Sequence, residues 1–422
     1  MPKLLLKDGT ALVSGKMEKC DILISDGVIE KIGTGIECPS AETVDCSGLT
    51  LLPGFVDMHV HLRQPGFEYK ETVKTGSMAA AAGGFTAVCA MPNLNPVADS
   101  PEHIKQELDI IERDAVIDVL PYAAITLGEK GQELSDIEAL APLCVGFSDD
   151  GKGVQSGEMM KKAMERVKKA GSFIAAHCED ESLLEGGSVH KGEFASHMGI
   201  KGISSASEYV QVERDVELAG QTGVRYHVCH ISAKESIEAV RQGKKKGYSV
   251  TCEVTPHHVA LCDMDIKSDD GKYKMNPPLR GAEDREAIFE GLRDGTIDCI
   301  ATDHAPHSKE EKSRGLEKSA FGIVGSETAF SVCYTELVKG GVITLERLSE
   351  LMSANPARIL GRESGIEEGK RADIAVIDLE KEYMVKGEEF LSMGKSTPFE
   401  GMRLQAQVEA TVCGGKIVYR RK

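Results

Sequence analysis

The sequence predicts a mixed α/β protein, namely a TIM-like (β/α)8 barrel with a small β-sandwich domain formed from both chain ends. Eight short apolar runs recur along the middle of the chain, and most are separated by stretches with the apolar spacing of helices. Strands that alternate with helices form parallel sheets, and eight such units close into a barrel with the helices outside. Both chain ends instead carry short alternating runs broken by glycine turns, which are typical of antiparallel strands.

The domain boundaries follow from this change of pattern. We expect residues 1–52 to form the first part of the sandwich, residues 53–359 the barrel and residues 360–422 the second part. CDILIS and VIEKIG predict strands in the first part, and ADIAVIDL and QVEATVCGGKIVYRR predict them in the last. In chain order, the expected barrel strands are GFVDMHVHLR, GFTAVCAMPN, VIDVLPYAAIT, LCVGFSDDG, SFIAAHCED, VRYHVCHIS, YSVTCEVTPHH and IDCIATDHAPH.

Composition excludes several classes of partner. The formal net charge of −17 argues against nucleic acid and anionic membranes. No apolar run approaches the ~20 residues that a membrane helix needs, and LLL at positions 4–6 is too short for the core of a signal peptide, so we expect no export. The 12 cysteines form no C-x-x-C pair, which indicates reduced, mostly buried thiols in a cytoplasmic protein.

The first barrel strand carries an unusual set of polar residues. In PGFVDMHVHLR, at 53–63, alternation places Asp57, His59, His61 and Arg63 on one face together with Phe55. Imidazoles, a carboxylate and a guanidinium on one face are poorly suited to an apolar core. We therefore interpret this face as a metal site with an anion-binding arm.

Further metal donors stand at the ends of other strands, where the active sites of such barrels lie. Alternation alone does not separate the two neighbouring aspartates that end the fourth strand. Six donors exceed the four that one zinc ion needs, and they fit two ions that share a bridging carboxylate. The candidate donors are His59 and His61 of the first strand, Asp149 or Asp150 of the fourth, His177 of the fifth, His230 of the sixth and Asp303 of the eighth.

Several nearby residues are interpreted as structural. His227 lies three positions before His230, so alternation turns it toward the outer helices. Cys178 and Cys229 alternate away from the neighbouring histidines, and we expect them to pack. His304 is expected to face outward.

Two features stay open. Either His257 or His258 could lie behind the metal ligands without being one. The loop 308–325 mixes charges with glycines, and it could close over a substrate or only connect two elements.

A series of motifs runs along the chain: GFVDMHVHLRQPG, AMPN, GFSDDGKGV, AHCED, HVCHIS, EVTPHH, NPPLR, ATDHAPH and FGIVGSE. Together they resemble the dihydroorotases of the bacterial type I group, within the amidohydrolase superfamily. The likeness covers nearly the whole chain, including NPARILG at 355–361. H-x-H after a first strand is common to the superfamily, whereas HVHLRQPG with NPPLR and ATDHAPH is much more specific.

The resemblance implies two zinc ions (Zn2+) per subunit. Many members of the superfamily bridge the metals with a carboxylated lysine. Here the nearest lysine, Lys152, lies beyond the fourth strand in a Gly-Lys-Gly turn, so an aspartate bridge is expected. The implied ligands are His59, His61 and Asp303 for one ion, His177 and His230 for the other, and Asp150 as the bridge.

The resemblance also implies the reaction, which is the reversible cyclisation of N-carbamoyl-L-aspartate to L-dihydroorotate in pyrimidine (UMP) biosynthesis. Asp303 would be the catalytic residue that carries a proton between the attacking hydroxide and the leaving amide nitrogen. Arg63 offers a planar fork that matches a substrate carboxylate. The implied substrate-binding residues are His61, Arg63, Asn93, Asn276, His307, Phe321 and Gly322.

Two other functions are alternatives. A hydantoinase-like or allantoinase-like cyclic amidohydrolase would use the same metals, but Arg63 together with NPPLR favours a small anionic substrate. An inactive scaffold for aspartate carbamoyltransferase would be expected to lose metal ligands, and none of the six is missing. Relatives imply a homodimer and a possible association with aspartate carbamoyltransferase.

Overall fold

The computed structural model describes residues 3–421, so Met1, Pro2 and Lys422 of the predicted sandwich lie outside the described residues. Strands and helices both run through the chain, which therefore has a mixed α/β fold. The strands are β1 (Leu4–Val13), β2 (Lys16–Ser25), β3 (Val28–Gly33), β4 (Glu42–Asp45), β5 (Thr50–Pro53), β6 (Phe55–Val60), β7 (Phe85–Ala90), β8 (Asp118–Pro121), β9 (Ala123–Ala124), β10 (Phe147–Ser148), β11 (Phe173–Ala176), β12 (Val189–His190), β13 (Gly202–Ile203), β14 (Arg225–Val228), β15 (Val250–Val254), β16 (Cys299–Ile300), β17 (Ile374–Met384), β18 (Arg403–Cys413) and β19 (Lys416–Arg420).

The helices lie mostly between the strands of the middle region. None of the helices within residues 3–421 is long and apolar enough to cross a membrane. Two π-helical turns, Tyr334–Lys339 and Glu350–Ala354, continue the α-helices Ala329–Cys333 and Leu345–Ser349. The α-helices are α1 (Val73–Ala82), α2 (Pro101–Asp114), α3 (Ile137–Leu140), α4 (Gly157–Lys169), α5 (Glu193–Met198), α6 (Ala206–Thr222), α7 (Lys234–Lys245), α8 (Pro256–Ala260), α9 (Ala282–Asp294), α10 (Lys309–Lys312), α11 (Gly315–Lys318), α12 (Ala329–Cys333), α13 (Leu345–Ser349) and α14 (Asn355–Ile359).

The longer helices are amphipathic, as α4 illustrates. Met160, Ala163, Met164 and Val167 repeat at helical spacing and are buried. The Ser156 side chain caps the helix by accepting a backbone N–H of the first turn. Basic residues in the last turn complement the negative end of the helix dipole. Such helices cover the outer side of the neighbouring strands.

The middle of the chain contains parallel strands that pair in succession. β6 pairs with β7 and β7 with β8, while a second run of pairs joins β9, β10, β11, β14, β15 and β16. Only Tyr122 separates β8 from β9. After β16, His304 pairs in parallel with Val60 of β6, and the His61 N–H donates to the His304 carbonyl at 2.8 Å. The succession of pairs thus returns to its first strand.

Alternate residues of these strands face two different cores. In β11, Ile174 and Ala176 belong to the large core shared with the helices, whereas Phe173 and Ala175 belong to a second, inner cluster. Strand alternation accounts for this division. The inner cluster comprises Met58, Cys89, Met91, Tyr122, Phe173, Ala175, Cys229, Cys299 and Ala301.

Both chain ends meet in one sheet. β1 pairs antiparallel with β2 and parallel with β4 and β5, and β5 pairs with β17, where Leu52 lies opposite Ala375. β17, β18 and β19 follow in antiparallel order. Hydrogen bonds join these strands of the described chain into a single sheet, so the division into two facing sheets stays a prediction.

Residues 385–402, between β17 and β18, leave this sheet and pack against the parallel-strand region. The Val324 N–H donates to the Ser396 carbonyl at 3.0 Å, and the Ser392 hydroxyl donates to the Glu71 carboxylate. This returning segment therefore lies beside the cavity described below, a position that differs from the sandwich predicted for it.

Candidate metal centre and substrate cavity

Two histidines of the first parallel strand face two aspartates from other strand ends. His59 Nε2 lies 3.3 Å from Asp150 Oδ1 and 3.5 Å from Asp303 Oδ1. His61 Nε2 lies 3.4 Å from Asp150 Oδ2 and 3.2 Å from Asp303 Oδ1. All four side chains are buried. The fold thus brings two imidazoles and two carboxylates to one point, although 244 positions separate His59 from Asp303.

A second pair of histidines lies on the other side of Asp150. His177 Nδ1 and His230 Nε2 are 2.9 Å apart, and each lies 3.9 Å from Asp150 Oδ1. Two sets of possible metal donors therefore share one carboxylate: His59, His61 and Asp150 form the first set, and Asp150, His177 and His230 form the second.

This arrangement fits the demands of a cation. Zinc–nitrogen bonds of about 2.0–2.1 Å place the neighbouring donors of a tetrahedral ion roughly 3.3 Å apart. His59 Nε2 and Asp150 Oδ1 lie at that separation, and neither has a hydrogen-bond partner among the described residues. Buried polar atoms without a partner are costly, and a cation between these two would satisfy both.

The backbone turns sharply at three of the residues that surround this point. Arg63, His230 and Asp303 have φ values of 60°, 31° and 47°. Non-glycine residues seldom adopt positive φ, and such strained positions cluster at functional sites. Each turn follows the end of a parallel strand and redirects the side chain, so strand alternation does not extend to these residues.

The face predicted for the first strand is wrong in part. The pairing of β6 with β7 shifts register between Asp57 and Val60. As a result, Phe55 packs outward against Phe330 with ring centroids 5.1 Å apart, whereas Met58 lies in the inner cluster. Asp57 accepts hydrogen bonds from the backbone and hydroxyl of Thr302. The register shift changes which alternate residues face inward. His59 and His61 nevertheless share the predicted face, because the change affects the residues before them.

Asp149 and Asp150 have different environments. Asp149 accepts the backbone N–H groups of Ile125 and Thr126 at 2.8 and 3.0 Å, together with the Thr126 hydroxyl, and it is fully engaged. Asp150 faces the four histidines. Lys152 is exposed, beyond both aspartates. Of the three residues considered for a bridge, only Asp150 lies between the donor sets.

Glu253 is a residue of this site that the sequence reasoning missed. It is fully buried in β15, and its Oε1 lies 2.9 Å from His59 Nδ1. The same oxygen accepts the backbone N–H of His230 at 3.2 Å. A lone acidic residue among the apolar residues of VTCEV was the available signal, because a buried charge needs partners.

The prediction for His227 is wrong in direction. Its Nε2 lies 3.1 Å from Glu253 Oε2 and its Nδ1 lies 2.8 Å from Thr251 Oγ1, so it faces inward beneath the donors rather than toward the helices. Cys229 also belongs to the inner cluster, whereas Cys178 packs in the helix-facing core as expected. The backbone turns at His230, two residues beyond β14, and this turn interrupts the strand alternation. The face of His227 therefore does not follow from counting back from His230.

The electrostatics of the centre favour ionised carboxylates. Burial favours the neutral acid, yet the nearby charges of His59 and His61 hold the pKa of Asp150 well below its usual range. Burial likewise opposes ionisation of Asp303, but His59 and His61 lower its pKa to about 2. For Glu253, the hydrogen bonds with His227 and His59 outweigh burial and lower the pKa. Three acidic groups therefore keep the negative charge that a cation needs.

A cavity of about 210 Å³ opens beside the donors. It brings together every residue that the sequence associated with substrate. His59 lies behind the cavity wall, since it does not line it. The lining residues are His61, Arg63, Asn93, Asp150, Gly151, His177, His230, Asn276, Asp303, Ala305, His307, Phe321 and Gly322.

Arg63 and His307 form one wall of this cavity. Arg63 Nε donates to the Pro306 carbonyl at 3.2 Å, and its Nη2 lies 3.2 Å from His307 Nε2. His307 Nε2 also donates to the Phe321 carbonyl at 2.8 Å. Burial, followed by the charges of Arg63 and Lys70, lowers the pKa of His307 to about 3, so this imidazole is neutral. Arg63 is the cation of this wall.

Two amide side chains connect the donors with the cavity. Asn93 Oδ1 lies 3.0 Å from His61 Nδ1, and Asn93 Nδ2 donates to Asp150 Oδ2 at 3.3 Å. Asn276 Nδ2 donates to Glu179 Oε1 at 2.9 Å, and its Oδ1 has no hydrogen-bond partner among the described residues. Asn276 therefore has an acceptor available for a bound molecule.

Gly322 completes the cavity through its backbone. Its φ of 128° belongs to the region that side chains rarely adopt, and a Cβ would lie 2.7 Å from the Ala305 carbonyl oxygen. Only glycine fits this close approach. The turn at Phe321 and Gly322 thus lines the cavity, so the loop 308–325 does more than connect two elements.

The arginine of NPPLR does not reach the cavity. Arg280 is buried, and it donates to the Ser232 hydroxyl at 3.0 Å and pairs with Glu208 at 3.4 Å. Burial raises the pKa of Glu208, but the Arg280 charge outweighs it and the pKa is lowered. Within NPPLR only Asn276 lines the cavity, and it is uncharged, so the argument for an anionic substrate rests on Arg63.

Three further histidines lie near the site without lining the cavity. His258 Nδ1 lies 2.7 Å from Thr255 Oγ1, and its Nε2 donates to the Pro277 carbonyl at 3.1 Å, which supports the loop of Asn276. His257 is buried beside it and does not line the cavity. His304 turns away from the donors toward Ser392 and Glu71, as predicted.

Comparison with family models gives two matches along the chain. Residues 48–236 match a model described as dihydro-orotase-like. Residues 206–419 match the amidohydrolase family. Together the two matches span the donors, the cavity and much of the sheet formed by the chain ends.

Individual relatives are similar over nearly their full length. A dihydroorotase of Fusobacterium nucleatum is 54% identical over 417 residues, covering 99% of this chain and 98% of the relative. One of Bacillus cereus is 49% identical over 421 residues with the same coverage. Among solved structures, L-hydantoinase from Arthrobacter aurescens has a TM-score of 0.89 at 25% identity and covers 100% of this chain and 96% of its own. Dihydropyrimidinase from Brevibacillus agri shares the fold, with a TM-score of 0.86 at 23% identity over 99% of this chain and 95% of its own.

Proposed function

The chain belongs to the dihydroorotase family of amidohydrolases, and from this premise we propose that its cavity is a binuclear zinc active site of the bacterial type I kind. The protein interconverts N-carbamoyl-L-aspartate and L-dihydroorotate, closing or opening a cyclic amide in pyrimidine biosynthesis. It is a metal-dependent cyclic amidohydrolase.

The proposed metal ligands are Asp150 and the five donors around it. Their support is the pair of donor sets that share this carboxylate, and the unpartnered atoms of His59 and Asp150. When bound, two such ions lower the pKa of a water molecule and polarise the ring carbonyl. The ligands are His59, His61 and Asp303 for one ion, His177 and His230 for the second, and Asp150 between them.

Asp303 is the proposed acid–base residue. It lines the cavity, and its low pKa keeps the carboxylate ionised at neutral pH, as a base requires. In hydrolysis the carboxylate accepts a proton from the attacking water and donates it to the amide nitrogen that leaves. In cyclisation the same transfers run in reverse.

The substrate carboxylate is assigned to Arg63. Its guanidinium is planar and can donate two parallel hydrogen bonds to a carboxylate. Asn93 and Asn276 each carry an amide that can donate to or accept from the ring amide. The further substrate contacts proposed are His61, His307, Phe321 and Gly322, which line the same cavity.

The observation that carries the proposal is the position of Asp150 between two donor sets beside a cavity lined by Arg63. Purified protein should hold two divalent ions per chain by elemental analysis and should hydrolyse dihydroorotate. A chelator should remove both ions and the activity, and zinc should restore them. Dihydrouracil and allantoin are the control substrates, and faster turnover of either would favour a hydantoinase or allantoinase. Full activity of rigorously metal-free protein would refute the metal centre.

We further propose that the parallel strands form a closed (β/α)8 barrel over residues 53–359, supported by the pairing of His304 with Val60. The twelve cysteines are free thiols, which supports the proposed cytoplasmic location. A homodimer and an association with aspartate carbamoyltransferase stay predictions, and light scattering of the protein alone and mixed with that enzyme tests them.

A further inference from the structure

Lys312 is a buried lysine whose hydrogen bonds all go to backbone carbonyl groups. It lies at the end of α10, and 6% of its surface is exposed. Its Nζ donates to the carbonyls of Lys274, Ala320 and Gly322 at 3.0, 2.8 and 2.6 Å. An ammonium group has three donors, so this cage of three carbonyls satisfies it completely.

The cage joins two walls of the substrate cavity. Lys274 lies two residues before Asn276, which lines one wall, and Gly322 belongs to the turn that lines another. The Gly322 N–H also donates to the Lys274 carbonyl at 3.0 Å. Both the Gly322 N–H and the Lys312 ammonium therefore converge on one oxygen, and the two walls are fixed to each other at this point.

The Lys274 side chain strengthens the same junction. Its Nζ lies 4.3 Å from the centroid of the Phe321 ring and donates to the Glu317 carbonyl at 2.9 Å. A cation over an aromatic face is attracted by the ring. Phe321 itself is 37% exposed, so this contact restrains a side chain that is only partly buried.

A second residue of α10 also contacts the cavity wall. Glu311 Oε1 lies 3.0 Å from Lys70 Nζ, and Glu311 Oε2 lies 3.5 Å from His307 Nδ1. Neighbouring residues of one short helix thus hold His307 on one side and Gly322 on the other. The helix occupies the rim of the cavity between them.

We propose that Lys312 is a positioning residue for substrate binding, which holds the Phe321–Gly322 turn against the Asn276 loop so that the cavity keeps its shape. The inference rests on the proposed function, because the turn and the loop are the substrate walls assigned above. Lys312 itself does not line the cavity, so it acts through Gly322 rather than by touching substrate.

The cost of burying this cation supports a role beyond filling space. Burial, followed by the charge of Lys274, lowers the pKa of Lys312 to about 7, against the opposing effect of Asp270 and Glu311. An apolar side chain would fill the same space without that cost, but it would take the ammonium donor away from the carbonyls of Ala320 and Gly322 and leave the Lys274 carbonyl with the Gly322 N–H alone.

Lys312→Met removes the donors at similar length, and Lys318→Met is the matched control, because Lys318 is exposed on the same loop. For Lys312→Met, the KM for dihydroorotate should rise by roughly tenfold, the equilibrium effect of one lost charge-assisted hydrogen bond, with kcat changed much less. Metal content should not change. A Glu-specific protease should cut the variant faster after Glu310, Glu311 or Glu317, none of which the substitution alters. Lys318→Met should match the wild type in each measurement.

Unchanged KM and unchanged cleavage in Lys312→Met would overturn the proposal. If that variant does not fold, Lys312→Gln keeps two donors, and it should show the same KM and protease effects to a smaller extent. A folded Lys312→Gln protein with wild-type values would equally overturn it. Absence of dihydroorotate turnover in the wild type would instead refute the proposed function, whereas the protease result tests the loop contact without any turnover.

Discussion

His59 and Glu253 form a buried pair, with His59 Nδ1 lying 2.9 Å from Glu253 Oε1. Nδ1–H of His59 donates to this carboxylate, and the contact orients the ring so that Nε2 faces Asp150. Glu253 also receives the His230 backbone N–H and contacts His227, and it therefore positions one donor from each set. Carboxylates that orient metal-ligating histidines tune the affinity of the ligands they hold.

Glu253→Gln should lower metal affinity by about 10–100-fold, because the amide cannot accept from His59 as strongly and fixes its tautomer poorly. Competition with a chromogenic chelator measures this affinity without reference to turnover. Glu290→Gln, at an exposed position of α9, is the matched control and should bind metal as the wild type does. Equal affinity in Glu253→Gln and the wild type would show that Glu253 only fills the core.

Asp150→Ala should lose metal and activity together, because the carboxylate between the two donor sets is removed. Lys152→Ala should keep both, since this exposed lysine lies outside the sets. Elemental analysis measures the metal content of each variant, and intact mass shows whether a lysine carries an added carbon dioxide. Metal loss in Lys152→Ala, with one carbon dioxide added to that lysine in the wild type, would show that the bridge had been assigned to the wrong residue.

Arg63→Lys should weaken substrate binding although it keeps the charge, because an ammonium group cannot form two parallel hydrogen bonds to a carboxylate. We expect KM for dihydroorotate to rise by roughly tenfold or more, the effect of a lost hydrogen bond to a charged group. Metal content should stay the same, which separates this variant from the ligand variants. An unchanged KM would leave Arg63 as a packing residue of the rim.

Asp303→Asn should lower kcat by about 10²–10⁴-fold, since an amide cannot accept the proton. The pH profile gives a second test. The carboxylate must start ionised in hydrolysis, which its low pKa allows, so that rate should decline toward acid pH. Cyclisation needs a protonated group, so that rate should decline as pH rises. Near-normal kcat with both metals bound would leave Asp303 a ligand only.

Asp118→Asn should destabilise the protein at neutral pH and much less in acid. Asp118 at β8 pairs with Arg371 at 2.5 Å and with Arg362. Burial raises the pKa of Asp118, but the two arginines outweigh it, and the pKa lies below the ordinary 3.8. Because the pKa of Asp118 is lower in the folded protein, its ionised form stabilises the fold above pH 3.8. This stabilisation is lost as the pH falls through the pKa of the folded protein. Tm should drop by a few degrees at pH 7, and the difference from the wild type should shrink toward pH 3. The exposed Asp109→Asn variant is the control, and an equal Tm loss for Asp118→Asn at both pH values would contradict the ion pair.

The sequence was sufficient to predict which histidines and aspartates lie close together, because they stand at strand ends, where parallel strands bring them to one edge. It was insufficient wherever a residue's direction depended on an irregular backbone. The register shift after Asp57 and the turn at His230 displaced the alternation that governed the predictions for Phe55 and His227. Neither stretch contains a glycine or proline that would indicate the distortion from the sequence.

Other misses arose from contacts between distant segments. Glu253 stood out as a charge in an apolar strand, but its partners His59 and His227 come from other strands. Arg280 carries the charge of an anion-binding group, yet Glu208, 72 positions away, neutralises it. Pairing of this kind becomes visible only in three dimensions.

The returning segment has a consequence for the order in which the enzyme is made. Ser392 meets the Glu71 carboxylate across 321 positions, and the Ser396 carbonyl holds Val324 beside the turn that lines the cavity. A ribosome-bound chain therefore has all six proposed metal donors available before the residues that support its cavity rim have been translated. Ligation can precede completion of the rim, and the last contacts to form during synthesis are those that shape the substrate wall.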